Sequence, residues 1–177
     1  YSQIKSILFP ENSECETIED EAFYSSKIEY ISFPSSLIDL QEGWCNAMDY
    51  LTKITIDKNN PRYTIYNDIF VIGKTTIDQE FYDILVFCFR NVISVTIPNF
   101  IEIIASFCFD VCTNLQQVNF QNDSKLRIID LFAFAFCPFS NISLPSSVTT
   151  IGEHAFLHCS NLTMIDIPEN SELKKIK

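Results

Sequence analysis

The only two histidines of the chain, His154 and His158, lie four positions apart in the stretch HAFLH. On an α-helix this spacing would bring both imidazoles to one face, where they could bind a zinc ion. A catalytic zinc usually has three protein ligands and an acidic residue that supports the bound water. The adjacent Glu153 precedes the first histidine, so the stretch lacks the H-E-x-x-H order. We therefore predict no metal at this pair.

No other catalytic pattern stands out. A serine–histidine–acid triad would have to use one of the same two histidines, on a surface turn without an evident pocket. The chain has no G-x-S-x-G, no Walker-type phosphate loop and no G-x-G-x-x-G, since its three glycines are Gly43, Gly73 and Gly152. The sequence therefore predicts a protein that is not an enzyme and uses no cofactor.

The histidine stretch belongs to a unit that recurs along the whole chain. A proline, or Asp57 or Gln121 in its place, closes each short run of alternating apolar residues. The successive markers lie 24, 23, 41, 23, 24 and 23 residues apart; they are Pro10, Pro34, Asp57, Pro98, Gln121, Pro145 and Pro168. Periods of this length are typical of solenoid proteins.

Each unit repeats the same apolar positions. After Pro145 they are Ile151, Ala155, Phe156, Cys159, Leu162, Ile165 and Ile167. The last three predict a short strand that the next proline ends, and the Ala-Phe pair predicts a tight turn or a short helix. One unit cannot bury this stripe alone, so stacked units should form ladders of identical side chains. Cys112, Cys137 and Cys159 share one ladder position, where we predict buried thiols that fill space.

The repeat offers an explanation for the histidine pair. His154 and His158 flank the buried Ala-Phe pair of their unit, so we expect both imidazoles to point outward. In other units the corresponding places are expected to hold Glu21 and Tyr24, or Phe132 and Ala135. The spacing of the histidines would then be a property of the scaffold.

The unit SLPSSVTTIGEHAFLHCSNLTMIDIP resembles the BspA-type leucine-rich repeat, and the resemblance covers essentially the whole chain. It implies a leucine-rich-repeat solenoid: a curved right-handed coil with a concave parallel β-sheet and short helical turns or loops on the convex side. We expect one domain over residues 1–177 with about seven units. Because Tyr1 opens directly into a repeat strand and Lys177 ends inside another, we expect a segment of a longer array.

The long unit, residues 57–97, departs from the pattern. Its apolar runs 69–72 and 84–87 surround the turn signal Gly73-Lys74-Thr75-Thr76, which predicts a hairpin-like insertion. One interpretation is that this insertion only packs on the solenoid and changes its curvature. The other is that it exposes aromatic side chains for binding, namely Tyr63, Tyr66, Phe81 and Tyr82.

Composition narrows the class of partner. The net charge of −11 argues against nucleic acid and against anionic membrane surfaces, which require clustered lysine and arginine. No apolar run approaches the roughly 18 residues of a membrane span, so we predict no membrane insertion by this segment. A protein partner remains, either a host-cell or extracellular-matrix protein or a second copy of the chain.

The strand pattern predicts where that partner binds. Residues that alternate with the buried ones should point outward on the concave face, and most are short and uncharged: Tyr30, Ser32, Lys53, Thr55, Ser94, Thr96, Gln117, Asn119, Asn141, Ser143, Met164 and Asp166. Tyr30 and Met164 are the expected anchors. The family resemblance favours a cell-surface or secreted protein that acts in adhesion or host recognition. An intracellular, cytoplasmic scaffold built from the same repeat is the alternative.

Overall fold

The structure, a computed structural model, describes residues 3–177 as short strands joined by turns. The strands are β1 Ser6–Ile7, β2 Thr17–Ile18, β3 Tyr30–Phe33, β4 Asp39–Leu40, β5 Lys53–Ile56, β6 Tyr63–Tyr66, β7 Phe70–Gly73, β8 Ile84–Cys88, β9 Ser94–Ile97, β10 Ile103–Ile104, β11 Gln117–Phe120, β12 Ile128–Ile129, β13 Asn141–Ser143, β14 Thr150–Ile151, β15 Met164–Asp166 and β16 Lys175–Ile176. Within this part of the chain, no helix is long and apolar enough to cross a bilayer.

Two stacks of parallel strands run through the molecule because each regular repeat contributes one strand to each. The front stack consists of the paired groups β1-β3-β5, β9-β11 and β13-β15. In the back stack, β2 pairs with β4, and β10, β12, β14 and β16 follow one another in order. Equivalent residues face each other across these pairs, as Ile31 faces Ile54 and Ile129 faces Ile151. The predicted solenoid is thus confirmed, with about seven coils.

Ladders of identical side chains fill the space between the two stacks. The rings of Phe109, Phe134 and Phe156 stack in sequence, with centroids 4.7 and 5.6 Å apart. The three ladder cysteines are buried and free, as predicted. Burial raises the pKa of the Cys137 thiol, which fits a cysteine that serves as an apolar filler.

The turn that carries the Ala-Phe pair continues the hydrogen bonding between coils. The amides of Phe132, Phe134 and Phe136 donate to carbonyls of the next coil, at Glu153, Ala155 and Leu157, over 3.1, 2.8 and 2.8 Å. Every second amide of the turn thus points toward the next coil, and two positions of each turn have a left-handed backbone. In successive units those positions are Phe107 and Val111, Phe132 and Phe136, and His154 and His158. The described turns therefore form no helix.

The left-handed positions explain the spacing of the histidines. His154 and His158 both have φ of 55°, and histidine tolerates this conformation better than most residues. Both side chains are exposed, as predicted. The prediction that Ala135 matches His158 is wrong, because Ala135 is buried and Phe136 holds the equivalent position.

The insertion forms part of the coil stack. β7 and β8 pair antiparallel, which confirms the predicted hairpin, and β6 adds a third antiparallel strand that the sequence analysis missed. β8 then pairs parallel with β10 and so takes the place of a regular repeat strand. Side chains of β7 alternate between two hydrophobic clusters, with Phe70 and Ile72 in one and Val71 in the other. The insertion therefore separates the core into two parts.

Arg90 joins the two parts where the long unit lacks an Ala-Phe turn. Its buried guanidinium donates to the carbonyls of Met48, Cys88, Phe107 and Cys108, over 2.7 to 3.4 Å. It also lies 4.1 Å from the centroid of the Phe87 ring.

Asp110 supports the same junction. Its carboxylate accepts the amide of Ala47 at 2.9 Å, and burial raises the pKa of this carboxyl. Met48 and Ala47 lie in the turn before the insertion, whereas Phe107 and Asp110 lie in the turn after it. Side chains thus complete the hydrogen bonding that a regular turn would supply.

Replacing Arg90 should destabilise the whole chain. Arg90→Met would leave up to four buried carbonyls without this donor, so we expect the free energy of unfolding to fall by about 3–5 kcal/mol. Urea unfolding followed by circular dichroism measures the change. Arg127→Met is the control, because residue 127 is exposed and its replacement should change stability by less than about 0.5 kcal/mol. Equal stability of the two variants would contradict the role given to Arg90.

The left-handed turn is tested at His158. Asparagine tolerates a positive φ and valine does not, so His158→Val should be less stable than His158→Asn by about 1–2 kcal/mol. Both substitutions remove the contact between the imidazole and the Phe136 ring, whose centroids are 4.9 Å apart. Comparing the two variants in urea therefore isolates the backbone conformation. Identical unfolding curves would show that this position imposes no such constraint.

Candidate binding surfaces

Outward side chains of the front stack form the surface that we call the polar strand face. Along β9, Ser94 and Thr96 are exposed while Val95 and Ile97 are buried, and the other strands alternate in the same way. Register aligns these outward residues across each strand pair: Tyr30 with Lys53, Ser32 with Thr55, Ser94 with Gln117, Thr96 with Asn119, Asn141 with Met164 and Ser143 with Asp166. All twelve predicted residues are exposed or half-buried.

The two expected anchors differ in their surroundings. The Tyr30 hydroxyl lies 2.8 Å from Oγ1 of Thr55, and the Lys53 ammonium lies 5.2 Å from the centroid of the Tyr30 ring. Neighbours therefore already cover part of Tyr30. Met164 is 55% exposed, which leaves its flexible thioether side chain free to adapt to a partner.

A polar hollow of about 770 Å³ opens on this face between β11 and β13. Although these strands belong to consecutive repeats, they are not paired with each other. The hollow is lined mainly by carboxamides and hydroxyls, including Gln117, Asn119, Asn141 and Ser143. Sequence periodicity places these four residues on one face but gives no sign that the sheet divides there.

A second hollow, of about 540 Å³, lies beside the insertion and has aromatic walls. We call it the aromatic pocket; its lining includes Tyr66, Phe81, Tyr82, Phe100, Glu102 and Lys125. Three of these rings belong to the predicted insertion site, and Phe81 is 61% exposed. Phe100 comes from the following unit and was not predicted; its ring meets that of Tyr66 edge-on at 5.4 Å.

Tyr63 does not belong to this pocket, and the expectation that it is exposed is wrong. Its side chain is buried (4% exposed) because β6 lies inside the coil stack, where the ring packs against Phe33. The hydroxyl accepts the amide of Leu40 at 3.1 Å and donates to the carbonyl of Ile38 at 3.4 Å. Burial raises the pKa of Tyr63 to about 12.

The histidine pair lies on the turns, in contact with aromatic rings. The imidazoles of His154 and His158 lie 5.0 and 4.9 Å from the rings of Phe132 and Phe136. The Nε2 atom of His154 is 3.4 Å from a carboxylate oxygen of Glu153. Over residues 3–177, no three histidine, cysteine or acidic side chains are grouped so that they could hold a metal ion.

Solved structures with the same fold are bacterial leucine-rich repeat proteins. A leucine-rich repeat protein from Eubacterium ventriosum matches with a TM-score of 0.77 and 21% identity, over 97% of this chain and 47% of that one. A leucine rich cell surface protein from Faecalibacterium prausnitzii matches with a TM-score of 0.61 and 17% identity, over 98% of this chain and 59% of that one. The chain thus spans about half the length of these proteins. No curated protein matches it.

The sequence itself matches a family model. The model describes a BspA type leucine rich repeat region, and its six copies cover residues 1–92 and 75–177. The match confirms the resemblance that the Pro145 unit carries, and it includes the degenerate and long units as well. Leucine-rich-repeat domains of this kind generally mediate protein–protein interactions. The chain belongs to the BspA-type leucine-rich repeat family.

Proposed function

We propose that the chain is a non-enzymatic protein-binding module of the cell surface, which recognises a host-cell or extracellular-matrix protein through the polar strand face. The observation that carries this proposal is the polar hollow between β11 and β13. It lies at one of the two breaks in the front stack, and four of the predicted binding residues line it.

The chemistry of the hollow suits an extended polypeptide. Carboxamides such as those of Gln117 and Asn119 both donate and accept hydrogen bonds, so they can pair with backbone amide and carbonyl groups of a partner. Only Lys53 and Asp166 are charged among the twelve residues of the face. Binding should therefore depend weakly on salt. Met164 lies opposite Asn141 on the neighbouring strand β15, where it can add an apolar contact beside the hollow.

Two observations support the cell surface as the location. The structural relative from F. prausnitzii is described as a cell surface protein. The triplets that begin at Asn122 and Asn161 have the pattern of glycosylation acceptors. The location can be tested with antibodies against the chain, which reach only surface proteins on intact cells. We expect them to stain intact cells of the source organism. Staining that requires permeabilised cells would favour the cytoplasmic scaffold.

Substitutions in the hollow test the binding face. We expect Asn119→Ala, Asn141→Ala and Met164→Ala each to weaken binding to immobilised matrix proteins or host cells by about threefold to tenfold, since each removes one hydrogen-bonding or apolar contact. Surface plasmon resonance measures the change. His154→Ala and His158→Ala are the controls, and neither they nor a chelator should alter binding. Unchanged binding in all three hollow variants would refute the proposed face, and loss with a chelator would instead support a metal at the histidine pair.

A further inference from the structure

The aromatic pocket differs from the polar strand face in position and in chemistry. Its walls come from five parts of the chain: β6, β7, the loop 74–83 and the segments that follow β9 and β11. Four rings, those of Tyr66, Phe81, Tyr82 and Phe100, surround a space of about 540 Å³. Such a pocket, mostly apolar with a few polar groups, is typical of a ligand site.

The loop that carries Phe81 is held in place by a buried carboxylate. Asp83 is 7% exposed and accepts the amide of Thr75 at 2.9 Å, the hydroxyl of Thr75 at 2.6 Å and the amide group of Gln79 at 2.6 Å. Gln79 in turn donates to the carbonyl of Phe81 at 2.8 Å. The exposed phenylalanine is therefore presented in a preformed position, which lowers the entropic cost of binding a ligand.

The polar groups of the pocket are free to bind a ligand. They are the hydroxyls of Thr64, Tyr66 and Tyr82, the Glu102 carboxylate and the Lys125 ammonium. Throughout the described residues, none of these groups forms a hydrogen bond or an ion pair with another side chain. The set contains donors and acceptors, with one carboxylate and one ammonium in the lining; the Lys74 ammonium lies outside it, 5.5 Å from the centroid of the Tyr82 ring. A charged ligand would meet repulsion from one of the two charged lining groups, whereas a neutral hydroxylated ligand could bond to both.

We infer that the aromatic pocket binds a neutral saccharide of one or two rings. The C–H face of a pyranose carries partial positive charge and packs against the electron-rich face of an aromatic ring. Its hydroxyl groups both donate and accept hydrogen bonds, which matches the mixed set around Glu102 and Lys125. The pocket volume is large enough for such a ligand and too small for a folded partner. A protein-binding face and a saccharide site would then occupy separate surfaces of one module.

The test is a titration of the isotopically labelled chain with lactose, cellobiose, maltose and chitobiose, followed by amide chemical shifts. We expect at least one disaccharide to shift the amides of residues around Phe81 and Phe100. Phe81→Ala should weaken that binding about tenfold or more, because it removes one wall of the pocket. Glu102→Gln and Lys125→Met should each weaken it as well. The substitution at Phe81 should leave the fold intact because this side chain is exposed.

Matched controls separate this site from other surfaces. Phe136→Ala removes another exposed phenylalanine, 46% exposed on the turn side, and should leave saccharide binding unchanged. Asn119→Ala should also leave it unchanged, since that residue lies in the polar hollow. Asp83→Ala frees the loop without touching the lining and should weaken binding.

Two outcomes would overturn the inference. The first is that none of the four disaccharides shifts these amides at high millimolar concentration. The second is that choline or a sulfated disaccharide binds the pocket more tightly than every neutral sugar, which would assign it to a charged ligand. Phe81→Ala alters the aromatic pocket and Asn119→Ala alters the polar strand face. Failure of the saccharide proposal can therefore be distinguished from failure of the protein-binding proposal.

Discussion

Hydrogen bonds between neighbouring coils are the constraint on which this structure depends. Buried backbone amides and carbonyls must find partners, and strands of two to five residues satisfy only part of each coil. The turns supply the rest: in those at residues 107–111 and 132–136 every second amide donates to the next coil, and the first and last of these donors have a left-handed backbone. Coils approach so closely that a Cβ atom on Gly152 would lie 2.6 Å from the carbonyl carbon of Asp130. This close approach explains why glycine follows Ile151 in this unit.

The long unit meets the same constraint by other means. The last of its three antiparallel strands, β8, pairs with β10 as a regular repeat strand does, so the back stack continues. The unit has no Ala-Phe turn, however. Arg90 replaces that turn because a planar guanidinium with five N–H donors can serve several carbonyls at once. The Cys112 thiol lies 3.4 Å from this guanidinium. Burial would raise its pKa, but contacts to Cys88 and Arg90 outweigh that effect and lower it to about 7.

How much could be predicted from the sequence depends on whether a feature repeats. Ile151, Ala155 and Cys159 recur with a fixed period, so the core ladders and the outward columns could be assigned. Tyr63 occurs in a segment that appears once, and its burial depends on a neighbouring coil, which periodicity does not describe. The gap between β11 and β13 was also missed, because the residues on either side keep the regular alternation. Arg90 offered no local signal, since three of its four carbonyl partners lie in distant turns.

The same distinction applies to the two surfaces. The polar strand face is built from equivalent positions of many repeats, so it can change along the array one repeat at a time without disturbing the buried ladders. The aromatic pocket exists only where the period fails. Its rings are held by a loop anchored on Asp83 and by β6, which pairs with the buried strand β7. A site of this kind gains rigidity from the core around it, whereas an extended face gains area from repetition. The two proposals therefore assign, within one solenoid, a broad surface to a protein partner and a small pocket to a single ligand.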